Sequence, residues 1–180
     1  MDAHYESPRE AMNQISELEL IKKLAPIELL VLDVDGVLTD GGLYYTETGA
    51  ELKKFNAKDG MGIKLVMKAG VAVAIITASA SQVVLKRSQK LGIPHVFLDV
   101  TDKLNTLKQL CQELSIALEQ VVYMGDDVND LESMRSVGCP ITVADAMPIN
   151  KSVAVYVTQH GGGKGAVREI CDLLVKAKSQ

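Results

Sequence analysis

With 180 residues, 47% of them hydrophobic, and a net charge of −4, the chain can bury one core of ordinary domain size and makes a poor nucleic-acid surface. Its longest apolar stretch, VAVAII within GVAVAIITASA, falls far short of the roughly 18 residues that cross a bilayer. MDAHYESPRE has no basic end leading into an apolar core, so a secretory signal is not expected and the chain reads as soluble and cytoplasmic.

In SPRE, Ser7 can cap a helix, with Pro8 in its first turn and Glu10 closing a capping box. Ile15, Leu18, Ile21 and Leu24 follow at helical spacing, which predicts an amphipathic helix over 8–24 that ends before Pro26. Residues 1–26 then form a helical extension on a single domain over 27–180. The three cysteines, Cys111, Cys139 and Cys171, stand far apart and odd in number, which suits buried reduced thiols better than a disulfide framework or a zinc site.

Beyond Pro26, short apolar runs alternate with helical patterns. IELLVLD, VAVAIIT, HVFLD, QVVYMGD, CPITVAD and VAVYVT read as strands, and GIKLVMKAG, SQVVLKRSQKLG and DKLNTLKQLCQEL as helices between them. Continuous β-branched runs with intervening helices predict a doubly wound α/β fold, its parallel sheet covered on both faces and its site at the carboxyl ends of the strands. GGLYYTETGAELKKF interrupts the alternation as a β-hairpin over 42–55 turning near Gly49. Leu43, Tyr44 and Tyr45 give it more apolar surface than a free hairpin should expose, so it is expected to pack against another subunit.

Polar residues then fall at successive strand ends: Asp33 and Asp35 in LLVLDVDGVLTDGG, Thr77 in IITAS, Lys103 in TDKL, and Asp126, Asp127 and Asp130 in GDDVND. Each alone could be a turn, a cap or a solvated helix start. In this order they suggest phosphoryl chemistry. Clustered carboxylates repel unless a cation uses them, and carboxylates from two strands suit Mg²⁺, which in turn draws in an anionic phosphoryl group. Asp33 can then attack phosphorus, while Asp35 is placed to protonate the leaving oxygen and later to deprotonate water. Lys103, Thr77 and the amides after Asp35, where Gly36 permits close approach, can stabilise the nonbridging oxygens.

DVDGVLTD, IIT, DKL and GDDVND together resemble the haloacid dehalogenase superfamily over roughly residues 27–178. The resemblance implies a Rossmann-like fold and a Mg²⁺-dependent phosphatase. Asp33 would be nucleophile and metal ligand, Asp35 the acid/base that also binds metal through its carbonyl, Asp126 the remaining ligand, and Asp130 a support behind them. About 40 residues separate Asp35 from Thr77, mostly hairpin and helix, leaving no room for a large cap domain. This points to the capless branch, whose small-molecule members close their sites by oligomerising.

Within that branch, DGGLYYTETGAELKKFNAKDGMGIK and VTQHGGGKGAVREICDLL resemble the family of 3-deoxy-D-manno-octulosonate 8-phosphate phosphatases, tetrameric enzymes of lipopolysaccharide sugar synthesis. That likeness implies a homotetramer built through the hairpins. It also implies a substrate site that includes Asn56, Lys58, Asp59, Gly60, Lys64, Arg87 and Asn129 beside Asp35, Thr77 and Lys103. The glycine-rich tail, with Lys164 and Arg168, would reach a neighbouring subunit.

Four departures bear on the sugar rather than the reaction. Ser79 stands where the family usually has arginine, Lys58 and Lys64 where arginine is common, and Asp99 where glycine is frequent. Phosphatases of nine-carbon sialic acid type 9-phosphates share every catalytic residue and form the main alternative. A catalytically weak regulatory homologue would keep the fold, although every acid needed for chemistry is present. A phosphoacceptor signalling domain would carry its accepting Asp on the third strand and have no use for Asp35.

Overall fold

The computed structural model describes residues 15–180. In chain order, α1 (Glu17–Leu24) leads to β1 (Leu29–Leu32), to a hairpin of β2 (Tyr44–Tyr45) and β3 (Glu51–Leu52), and to α2 (Ala57–Lys68). Next come β4 (Ala72–Ile76), α3 (Gln82–Leu91), β5 (His95–Phe97), α4 (Lys103–Leu114) and β6 (Val121–Met124). The chain finishes with α5 (Leu131–Ser136), β7 (Cys139–Thr142), α6 (Pro148–Val153), β8 (Tyr156–Val157) and α7 (Ala166–Lys178).

The main sheet is parallel, in the order β5-β4-β1-β6-β7-β8. Its central strand β1 pairs Leu30 with Val73 on one side and Val122 on the other. Side chains alternate between the sheet's two faces. Leu30 and Leu32 join the core beneath α1, α2 and α7, whereas Leu29 and Val31 join a second core with Leu107, Leu110 and Met134 from α4 and α5. Burial on both faces explains why the strands read as unbroken apolar runs. The cysteines are reduced and buried.

One expectation is corrected at the start of the chain. The helix expected over 8–24 is not continuous: Ile15 and Ser16 are outside it, and among the described residues α1 begins at Glu17, because Ser16 takes an extended backbone (ψ 159°) and closes its own capping box with Glu19. The Ser16 N–H donates to Glu19 Oε2 at 2.8 Å, and the Glu19 N–H donates to Ser16 Oγ at 3.3 Å. The cap expected at Ser7 lies outside the described residues. Leu20, Ile21 and Leu24 form the buried face of α1, and Leu18, expected on that face, points outward.

The glycine-rich segment lies towards the other end of the chain. It is a loop docked on its own chain, and α7 runs from it back along α2. The Gly163 N–H donates to the Val37 carbonyl at 3.0 Å, and the Gly162 N–H to Asp145 Oδ1 at 2.8 Å. A Cβ at Gly162 would collide with the Gly36 carbonyl, so only glycine permits this approach. Lys164 pairs with Asp145 and Arg168 with Asp172.

The hairpin forms its own two-stranded sheet, separate from the main one, and turns with Gly49 at φ 81°. Leu43, Tyr44, Tyr45 and Leu52 are exposed on it.

Candidate active site

Asp33 follows β1 directly. Its backbone N–H still donates to the Met124 carbonyl of β6 at 3.0 Å, and its Oδ1 accepts from the Val34 N–H at 2.7 Å. The chain then folds sharply through Asp35 and Gly36, the latter at φ 86°. A Cβ at Gly36 would occupy the Asp126 carboxylate, so this glycine lets the loops after β1 and β6 close on one another. As a result Asp33, Asp126 and Asp130 present carboxylate oxygens within 4.8 Å of one another.

Lys103, at the first position of α4, reaches into the cluster from behind. Its Nζ lies 2.9 Å from Asp33 Oδ2 and 2.7 Å from Asp130 Oδ1, with only 3% of its side chain exposed. Tyr123 OH donates to the same Asp130 oxygen at 2.9 Å, and Asp130 Oδ2 accepts from the Asp126 N–H at 3.1 Å. Both oxygens of Asp130 are therefore committed to protein donors. Asp126 Oδ1 is the opposite case: it is buried and has no hydrogen-bond partner among the described residues. A buried carboxylate oxygen left bare is costly unless something positive uses it. The pair that fits a divalent ion is thus Asp33 with Asp126, while Asp130 holds Lys103 and the Asp126 loop in place.

The electrostatics agree. Burial raises the Asp33 carboxyl to about 7, with Asp130 adding to the rise and Lys103 opposing it. Burial likewise raises Asp126 to about 8, reinforced by Asp33, Asp130 and Asp127. Burial also penalises the Lys103 ammonium, but Asp33 and Asp130 hold it above its ordinary value. Acids held this far above the usual range give up their protons to a cation.

The cluster opens into a cavity of about 230 Å³ lined by Asp33, Asp35, Gly36, Gly41, Thr77, Ala78, Ser79, Asp126, Asp127 and Asn129. Thr77, just past β4, is buried with its Oγ1 accepting from the Ser79 N–H at 3.1 Å. Asp99 adopts φ 54°, a left-handed conformation that glycine takes freely and aspartate tolerates better than most residues.

Several residues expected in the substrate site do not line this cavity. Asn56 caps α2, its Oδ1 accepting from the Lys58 N–H at 2.8 Å and its Nδ2 donating to the Gly163 carbonyl at 3.1 Å. Asp59 is buried between α2 and α7, and its Oδ1 accepts from the Arg168 N–H at 2.8 Å. It supplies the anion at the start of α7, where Gly165 has no side chain to cap with. Gly60, Lys64 and Arg87 line a separate pocket with Met61, Lys90 and Leu91, and Arg87 donates to the Asn56 carbonyl at 3.1 Å. Lys58 is exposed.

Sequence reasoning passed over Lys53. Its Nζ lies 2.6 Å and 2.9 Å from the two oxygens of Asp35 and 2.6 Å from Glu51. Strand alternation was the available signal, because of the adjacent lysines Lys53 and Lys54 only one can face inward.

The family profile described as haloacid dehalogenase-like hydrolase matches residues 87–170. The 3-deoxy-D-manno-octulosonate 8-phosphate phosphatase of Escherichia coli (strain K12) is 45% identical over 90% of this chain and 86% of its own. The chain belongs to the haloacid dehalogenase-like hydrolases. Among solved members, the Moraxella catarrhalis 3-deoxy-D-manno-octulosonate 8-phosphate phosphatase, in complex with magnesium ion, phosphate ion and KDO, is 39% identical. It superposes with a TM-score of 0.87 over 89% of this chain and 92% of that one. The cobalt-bound Haemophilus influenzae enzyme is 38% identical, with a TM-score of 0.84 over 87% and 92% of the two chains. In this haloacid dehalogenase-like hydrolase the hairpin stands between β1 and α2.

Proposed function

We propose that this chain is a Mg²⁺-dependent phosphatase that converts 3-deoxy-D-manno-octulosonate 8-phosphate to the free sugar acid and phosphate through an aspartyl phosphate on Asp33. The observation that carries the reading is the bare, buried Asp126 oxygen beside Asp33 at adjoining strand ends, in a chain 45% identical to a phosphatase of that name. Asp33, Asp126 and the Asp35 carbonyl would hold the ion. When bound, it neutralises the acids and withdraws charge from the phosphoryl oxygens.

Asp33 attacks phosphorus in line as the bond from phosphorus to the sugar oxygen breaks, and Asp35 gives that oxygen its proton. Asp35 then takes a proton from the water that hydrolyses the acyl phosphate, which restores both carboxyl groups. Lys103 fixes Asp33 and offers positive charge from behind, and Asp130 fixes Lys103. Thr77 and the amides after Asp35 donate to the nonbridging oxygens, while Asn129 and Ser79 face the sugar from the rim. We read residues 27–180 as one catalytic domain with α1 docked on it, and the exposed apolar hairpin as the contact of a homotetramer. No described helix is long and apolar enough to cross a membrane, which accords with a cytoplasmic enzyme.

The test is phosphate release from the eight-carbon 8-phosphate and a nine-carbon 9-phosphate, each with Mg²⁺ and after chelation. The eight-carbon ester should show the higher kcat/KM, and chelation should abolish turnover. A preference for the nine-carbon ester would move the assignment to the sialic acid type.

Metal removal should also show in stability. An unfolded aspartate titrates near 3.9, about 3 units below the folded Asp33 at about 7 and further below Asp126 at about 8. Between those limits the folded protein binds more protons than the unfolded chain, so the stability of the ion-free protein falls as pH rises from about 4 to about 8. Mg²⁺ replaces those protons. Calorimetry should therefore find a larger Mg²⁺-induced rise in Tm at high pH, about 8, than at about 6. An equal rise at both would remove these carboxyls from the ion site.

A further inference from the structure

We infer that Lys53 is the positioning residue of Asp35, reaching in from the foot of the hairpin to fix the carboxyl that exchanges protons at the pocket. The inference rests on reading Asp35 as the acid/base.

Asp35 lies at the mouth of the cavity with 35% of its side chain exposed, and apart from Lys53 its carboxylate has, among the described residues, one side-chain hydrogen bond, from Thr39 Oγ1 at 3.5 Å, the limit of such a bond. A carboxyl so loosely held would sample several rotamers, and proton transfer to a leaving oxygen needs one geometry. Lys53 supplies it. The Nζ donates to Asp35 Oδ1 at 2.6 Å and Oδ2 at 2.9 Å. The side chain that carries this charge is only 3% exposed.

A lysine buried to that extent stays charged only where carboxylates offset the lost hydration, and Glu51 gives the second, at 2.6 Å. The hairpin's register builds this arrangement. Leu52 points to solvent and Lys54 turns outward to Asp40 at 2.9 Å, leaving Lys53 between them on the inward face. A slip of one residue would exchange the two lysines and bring Lys54 to the pocket.

The experiment compares kcat/KM on 3-deoxy-D-manno-octulosonate 8-phosphate with kcat/KM on para-nitrophenyl phosphate, whose leaving group departs without a proton. Both values report the steps through transfer to Asp33. Asp35→Asn calibrates the readout and should lose about 100-fold or more on the sugar ester relative to the aryl ester. Lys53→Met should reproduce that selective loss at about 10-fold or more, and Lys53→Arg should restore most of it. Lys53→Gln, which keeps a donor toward Asp35, serves as the second variant should Lys53→Met fail to fold. It should show the same selectivity to a smaller degree.

Equal losses on both esters for a folded Lys53 variant, with Asp35→Asn still discriminating, would overturn the inference and leave the acid/base assignment standing. Absence of discrimination by Asp35→Asn would instead overturn the assignment of Asp35, and the inference with it.

Discussion

Asp33→Asn should lower kcat by at least about 10⁴-fold while the protein stays folded, because an amide is a poor nucleophile and a poorer ligand for Mg²⁺. The local structure predicts that the fold survives. Asparagine keeps one oxygen, which serves either the Val34 N–H or Lys103 but not both, and the substitution removes one of three crowded carboxyls, which relieves repulsion felt by Asp126. The variant should therefore be folded and inactive, Lys103 keeping Asp130 as its partner. Near-parental kcat would refute the assignment of Asp33 as nucleophile.

Lys103→Met should damage both stability and turnover. The ammonium sits between Asp33 and Asp130 with almost no solvent contact, and methionine keeps its length without its charge. Removing one member of a buried ionic group typically costs about 3–5 kcal/mol, because the partners stay buried and unpaired. Loss of a charge aimed at the transferring phosphoryl group should lower kcat by about 10²–10³-fold. Mg²⁺ should recover part of the lost Tm, since it answers the same carboxylates. A change in kcat without a change in Tm would mean that Lys103 is not the support of Asp130 inferred from the distances.

The parts legible in the sequence were those fixed by local pattern or by chain order. Unbroken apolar runs such as IELLVLD marked strands covered on both faces, and the ends of those runs located Asp33, Thr77 and Asp126. Lys103 was legible as the first helical residue after a strand-end turn. Contacts made across long separations were not legible. Asp59 and Asn56 sit in a stretch that looks like a substrate loop, yet Asp59 Oδ1 is taken by the Arg168 N–H at the start of α7 and Asn56 Nδ2 by the Gly163 carbonyl, each more than 100 residues away.

The first helix shows a different limit. SPRE and SELE both carry the spacing of a capping box, and nothing local ranks one above the other. The extended backbone at Ser16 starts α1 at the second, and the first lies outside the described residues. Lys53 and Lys54 posed the same difficulty, since adjacent identical residues announce an inward and an outward member without saying which is which.

Both feet of the hairpin are fastened to one short piece of chain: Val37 receives the Gly163 N–H, and the Gly163 carbonyl receives the Asn56 amide. A flap moored at both ends on a common post has little freedom to swing. Entry should accordingly be governed by a doorway of constant shape, and selection among sugar esters by which of them can thread it.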